Sequence, residues 1–143
     1  MSFDLKIEGG DIVINRDGSV KTVFDNTKLC QDIIKILLTK LGENKFHSAY
    51  GSEVGAINIG HVSDQELLEL DLEASVRDSV NKLISLQKGQ SRKQFLTPGE
   101  RIIALLNVAA QRDTVDPRLY SIFLTVQTGA LNSIQESITI RII

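Results

Sequence analysis

The chain has 143 residues, enough for one domain with a sizeable core, and its 42% hydrophobic and 24% charged residues are ordinary for a globular protein. A net charge of −2 supplies no basic excess to follow a phosphate backbone, so nucleic acid is not an expected partner. No apolar run approaches the roughly 18 residues that span a bilayer, so no membrane role is expected either. The acidic start, Met1-Ser2-Phe3-Asp4, does not read as a signal peptide, and one cysteine, Cys30, excludes an internal disulfide and fits a reducing compartment. With no Trp and 5% aromatic residues, the composition also argues against a carbohydrate-stacking groove.

Residues 4 to 24 read as short strands with tight turns. Leu5 and Ile7 alternate, Gly9-Gly10 breaks the run, and Ile12-Val13-Ile14 resumes it. Arg16-Asp17-Gly18-Ser19 is a hairpin turn signal before a return strand from Val20 to Phe24. A lone hairpin is marginal in water, so this one is expected to dock on the body or on a partner. Asp25-Asn26-Thr27 is an N-cap cluster. Leu29, Ile33, Ile36, Leu37 and Leu41 then recur at helical spacing, which predicts a helix from about Lys28 to Leu41 with Gly42 as its left-handed stop. Cys30 lies beside that stripe, where the ordinary role is a small buried hydrophobe.

Gly42, Gly51, Gly55 and Gly60, with Phe46 and Tyr50, predict a surface loop from Gly42 to Val62 whose glycines allow positive φ and whose aromatics pin it down. No Gly-Lys-Ser/Thr follows, so a phosphate cradle is not indicated. Ser63 with Glu66 reads as a capping box opening the longest helix, with Leu68, Leu72, Val76, Val80 and Leu83 on its buried face. Glu66, Glu69, Asp71, Glu73, Arg77 and Asp78 fall mostly elsewhere, on a face expected to be solvated; the other reading of its acidic first half is a docking surface for a basic partner. The helix fades near Gln87, and Lys88 to Gln94 is a polar linker.

The last third reads as three strands. Ile102, Ala104, Leu106, Val108 and Ala110 fall on alternate positions, as do Tyr120, Ile122, Leu124 and Val126, and again Ile138, Ile140 and Ile142. The gaps Asp113–Pro117 and Gly129–Ser133 are too short for parallel crossovers, so the strands form an antiparallel meander. Thr97-Pro98-Gly99-Glu100 competes with this reading, because it also resembles a helix start with Pro at the first position. The alternation after it favours a strand over Arg101–Gln111. The predicted fold is α+β: an N-terminal β-hairpin and two main helices packed on a C-terminal three-stranded antiparallel meander, all one domain spanning residues 1–143.

The sequence offers little chemistry. His47, His61 and Cys30 match no metal-ligand spacing. No Gly-x-Ser-x-Gly is present, and nothing places a serine or Cys30 beside a histidine. Glu43, Glu53 and Glu100 stand near loops, but nothing makes them the separated carboxylate pair that glycoside hydrolysis needs. No cofactor, metal or catalytic residue is predicted, and the chain is not expected to be an enzyme.

From Gln31 through Ser52, the helix ending Leu37-Leu38-Thr39, then Gly42-Glu43, Phe46 and Tyr50-Gly51-Ser52, resembles the baseplate wedge family of contractile phage tails. That family is also labelled gene 25-like lysozyme or tail W protein and has relatives in type VI secretion. The order of elements over most of the chain is similar as well. The family carries a Glu-Pro-Arg triplet where the long helix hands over to the first meander strand. Here that place holds Glu100-Arg101-Ile102, without the proline; Asp116-Pro117-Arg118 has the proline but sits in the next hairpin.

The resemblance implies a structural wedge subunit, a late protein of the virion, with Glu100 and Arg101 binding larger baseplate wedge proteins. It implies a sheet like the strand-exchanging part of the tail sheath protein, able to start sheath assembly. Central hub or tube proteins are further candidate partners, and the expected place is the tail baseplate, assembled in the host cytoplasm. In the strand-pairing reading, Ser137, Thr139 and Arg141 form the polar side of a last strand ending at Ile143. Gly42, Glu43, Phe46, Tyr50 and Gly51 form the structural loop. The alternatives are a peptidoglycan-degrading, lysozyme-like tail enzyme and a wedge component of a related contractile injection or secretion system.

Overall fold

The computed structural model describes residues 2–54 and 64–142. Its order is β1 (Asp4–Leu5), β2 (Ile7–Glu8), β3 (Asp11–Ile12), β4 (Thr22–Val23), α1 (Asp25–Leu38), α2 (Gln65–Gln90), β5 (Ile102–Arg112), β6 (Leu119–Thr128) and β7 (Ser133–Arg141). The α+β architecture expected from the sequence is therefore present. The N-terminal ribbon pairs β1 with β4 and β2 with β3, both antiparallel. Gly9 and Gly10 form the inner turn at φ 62 and 86, which a side chain would resist. The ribbon docks on α1 through Gln31, whose Oε1 accepts from the Ile7 N–H and whose Nε2 donates to the Leu5 carbonyl.

Helix α1 begins and ends three residues earlier than its apolar stripe suggests. Asp25 does not cap it; its Oδ1 accepts instead from the Thr97 hydroxyl at 2.7 Å, tying the start of α1 to the segment before β5. The expected stop at Gly42 is corrected too. Thr39 already leaves the helix, because the chain turns to pair with Ser52: the Ser52 N–H donates to the Thr39 carbonyl and the Leu41 N–H to the Ser52 carbonyl. Gly42, at φ 84, is the third residue of a turn closed by the Glu43 N–H on the Lys40 carbonyl. Helix α2 starts from Asp64, whose carboxylate accepts from the Glu66 N–H, and runs through Gln90, deeper into the expected linker. The expected Ser63 capping residue lies outside the described residues.

Strands β5, β6 and β7 form the predicted antiparallel meander in that order. Ile122 stands between Ala110 and Ile138, and Tyr120 between Arg112 and Ile140. The inner face of this sheet, with Leu29, Ile33, Ile36 and Leu37 of α1 and Leu72, Val76, Val80 and Leu83 of α2, makes the core. Each such side chain contributes about 1.5–3 kcal/mol by leaving water. The alternation expected in β5 is broken. Register shifts fall between Ile102 and Ala104 and between Leu105 and Asn107, and they turn Leu106 outward while Leu105 packs against the core. Each extra residue of a bulge reverses the facing of the rest of the strand, a change no periodicity count anticipates.

The two edges of the sheet differ. Helix α2 lies along the outer edge of β5. There the Gln87 Oε1 accepts from the Ile102 N–H at 2.9 Å, a Glu73 oxygen from the Ala110 N–H at 3.1 Å, and a Glu69 oxygen from the Arg112 N–H at 3.3 Å. The solvated face expected for Glu69 and Glu73 is corrected here; both are half-buried because they serve these amides. The outer edge of β7 has no strand beside it among the described residues.

Candidate functional site: the Pro98 turn and the open strand edge

Thr97, Pro98, Gly99 and Glu100 do begin a helix, but one that lasts a single 3₁₀ turn, Pro98–Glu100, before the chain extends into β5. The helix-start signal is thus spent in one turn, and the run after it is the expected strand and not a helix. The Glu100 Oε1 accepts from the Thr97 N–H at 3.0 Å, closing the turn on itself. Glu100 is only 1% exposed, and its other oxygen, Oε2, has no partner among the described residues. Gln87 spans the corner from α2: its Nε2 donates to the Glu100 carbonyl at 2.8 Å while its Oε1 holds the Ile102 N–H.

Two glycines let neighbouring segments close on this corner. A Cβ on Gly99 would come within 2.7 Å of the Asn26 Oδ1, and one on Gly129 within 2.8 Å of the Pro98 carbonyl oxygen. The Gly129 N–H donates to the Arg101 carbonyl at 2.9 Å. The corner that carries Arg101 is therefore held from three sides: by α2 at Glu100 and Ile102, by the start of α1 at Thr97 and Gly99, and by the β6–β7 turn at Arg101 itself. Its side chain is exposed and forms no ion pair among the described residues. Of the two residues assigned to wedge binding, Glu100 faces inward and shapes the turn; Arg101 faces outward on it.

The β7 residues stand as the alternation predicts. Ser137, Thr139 and Arg141 are exposed, while Ile138 and Ile142 are buried and Ile140 packs on the core. The Ile142 N–H points to β6, donating to the Arg118 carbonyl. Because strand amides alternate in direction, the N–H groups of Ser137, Thr139 and Arg141 point away from β6, along the open edge. Arg141 also reaches the Asp116 carboxylate at 3.6 Å, and Arg118 reaches the same carboxylate at 3.4 Å. Asp116-Pro117-Arg118 is thus an internally paired hairpin. The Arg118 backbone N–H holds the Asp116 carboxyl below its ordinary range, and the two guanidinium groups help.

The glycine loop divides into a fixed part and a bare part. Gly51, at φ 120, lies where a Cβ would be 2.7 Å from the Thr39 carbonyl oxygen, and the Ser52 hydroxyl donates to the Leu37 carbonyl at 2.6 Å. Tyr50 packs against the core. Phe46 does not pin the loop as expected; it is 93% exposed, because Asn44 turns the chain outward by accepting from the Phe46 and His47 amides. Near Tyr50, Asp4, Lys28, Asp32 and Lys35 line a cleft of about 380 Å³ and pair with one another, with Lys28–Asp32 at 2.7 Å and Lys35–Asp4 at 2.6 Å. Their two positive and two negative charges cancel within the cleft. Among the described residues no group of His, Cys, Asp and Glu could hold a metal ion; His61 lies outside them.

The signal that sequence reasoning missed is Gln87. A glutamine at the fading end of an amphipathic helix looks solvated, and only its burial against the Pro98 corner reveals the clamp.

No family model and no curated protein matches the chain in sequence. Among solved structures it is similar to a protein of Geobacter sulfurreducens provisionally described as a tail lysozyme. That likeness has a TM-score of 0.62 at 14% identity and covers 82% of this chain and 90% of the other. At that identity the likeness speaks for the arrangement of helices and strands: the chain shares its fold with a protein described as belonging to a tail.

Proposed function

We propose that this chain is a structural component of a contractile tail: a baseplate wedge subunit that binds larger wedge proteins and starts sheath growth. The observation that carries the reading is the unequal pair of sheet edges. An unpaired strand normally invites aggregation and is usually blunted. Among the described residues no strand pairs with the outward amides of β7, which lie beside an uncharged Ser137–Thr139 surface, as in a strand acceptor, and an incoming strand of the sheath protein would add by main-chain hydrogen bonds. The outward Arg101, on a corner immobilised by Gln87 and Glu100, supports a second contact, with an acidic or helix-terminal surface of the larger wedge proteins. The fold shared with a protein described as a tail lysozyme supports the tail setting. A baseplate of a related injection or secretion system would use the same two surfaces, as would contact with hub or tube proteins.

Thr139→Pro tests the strand-pairing step. Proline removes one outward N–H and leaves the β6–β7 ladder intact, a substitution that edge strands tolerate. The variant should keep its fold and lose co-sedimentation with polymerising sheath protein. Undiminished sheath initiation by this variant would remove β7 from the mechanism.

The second reading, a peptidoglycan hydrolase, rests on the word lysozyme in the description of the similar structure. Clearing of cell-wall preparations by the purified chain, abolished by Glu43→Gln or Glu100→Gln, would favour it over the structural role.

A further inference from the structure

We infer that α2 is a stopper for the β5 edge, so that no strand adds there and two copies of the chain cannot join through β5. This inference concerns the isolated protein and stands or falls apart from the tail reading. The spacing of the three acceptors carries it. Glu69, Glu73 and Gln87 lie on one side of α2, and their amide partners, Arg112, Ala110 and Ile102, run in the opposite order along β5. From Glu69 to Gln87 the helix rises roughly 27 Å. From Ile102 to Arg112 the strand extends roughly 33 Å. Helix and strand therefore run side by side between these contacts, and at Ile102, Ala110 and Arg112 side-chain oxygens take the place of a neighbouring strand's carbonyls.

The chemistry of the acceptors matters as much as their reach. A carboxylate accepts from an amide but donates nothing, so an approaching strand finds the outward N–H groups of Ala110 and Arg112 taken and two negative charges where its own carbonyls would lie. Such a device is needed on β5 in particular. Ile103 and Leu106 are exposed beside this edge, so an uncovered β5 would be apolar, long and adhesive. The occupant that best matches a bared β5 is the β5 of a second copy, because antiparallel pairing of identical edges closes a symmetric dimer.

The test is the double variant Glu69→Ala with Glu73→Ala, set against Glu69→Gln with Glu73→Gln, which keeps the acceptors. Amide hydrogen exchange is followed at Ala110 and Arg112, with Ile122 and Leu124 reporting that the core remains folded. In dilute solution the alanine variant should exchange at Ala110 and Arg112 at least tenfold faster than wild type. At high concentration it should form dimers by sedimentation velocity, and the two amides should regain protection. The glutamine variant, which keeps an acceptor oxygen at each position but not the charge, should keep slow exchange at both amides in dilute solution. Unchanged exchange at both amides in the alanine variant would overturn the contact. Fast exchange in a variant that stays monomeric at every concentration would overturn the stopper. Should the alanine variant lose protection at Ile122 and Leu124 too, Glu73→Ala alone, read at Ala110, decides by the same criteria.

Discussion

Replacing Gln87 by Met tests how the Pro98 corner is held. Methionine has nearly the same length and volume, so the packing of this buried side chain is retained and only its hydrogen bonds are removed. Two are lost, one to the Glu100 carbonyl at 2.8 Å and one from the Ile102 N–H at 2.9 Å. Glu100 and Ile102 are both buried, so neither backbone group regains water in exchange. An unsatisfied buried group costs about 1–3 kcal/mol, which gives about 2–5 kcal/mol for the pair, allowing for some relaxation. At a typical unfolding entropy of about 2.1 cal/mol/K per residue, a chain of this size loses about 3 °C per kcal/mol, so the melting point should fall by about 7–15 °C. Equilibrium denaturation in urea, with the slope compared to wild type, measures the loss directly. A loss below about 1 kcal/mol with an unchanged slope would refute the clamp and, with it, the claim that Arg101 is rigidly presented.

Arg101→Ala should leave the urea midpoint within about 0.5 kcal/mol of wild type, because its side chain is exposed, while capture of the larger wedge proteins in a pull-down falls at least tenfold. Gly51→Ala should destabilise by about 1–3 kcal/mol in the same denaturation assay, since it combines a φ of 120 with a 2.7 Å approach to the Thr39 carbonyl oxygen. Burial first, and the Glu136 carboxylate second, push the Cys30 thiol up to about 12, so a thiolate-seeking reagent at pH 8 should react far more slowly with the folded than with the urea-unfolded chain. Burial alone would raise the Asp4 carboxyl, but the Lys35 ammonium, the Leu5 N–H and the Gln31 amide hold it below its ordinary 3.8. Burial alone would lower Lys35, but Asp4 and Asp32 hold it above its ordinary 10.5. Asp4 therefore stabilises ribbon docking above about pH 4 and stops doing so as pH falls through its lowered value; Lys35 stabilises docking below about 10.5 and stops doing so as pH rises through its raised one. Proteolysis within residues 15–19, compared at pH 3 and pH 6 with acid-tolerant and neutral enzymes, should be faster at the lower pH; equal rates would count against the ion pair as the docking contact.

Local rules were sufficient for much of this chain. Alternation fixed β6 and β7, the 3.6-residue stripe fixed the buried face of α2, and the Gly9-Gly10 and Gly18 turns fixed the ribbon, because each depends on neighbours a few residues away. The inward Ile138 and outward Ser137 and Thr139 came from the same period of two. What the sequence could not determine was every choice between satisfying a polar group locally and satisfying it across the fold. Asp25 had a helix to cap and bonded Thr97; Glu69 and Glu73 had water and bonded β5; Gln87 ended a helix and gripped the far side of a corner. In each case a backbone or hydroxyl group brought close by packing offered a bond whose loss on burial would cost more than the local alternative returned. The same long-range accounting, invisible to any window of sequence, decided which edge of the sheet α2 closes and which has no strand beside it among the described residues.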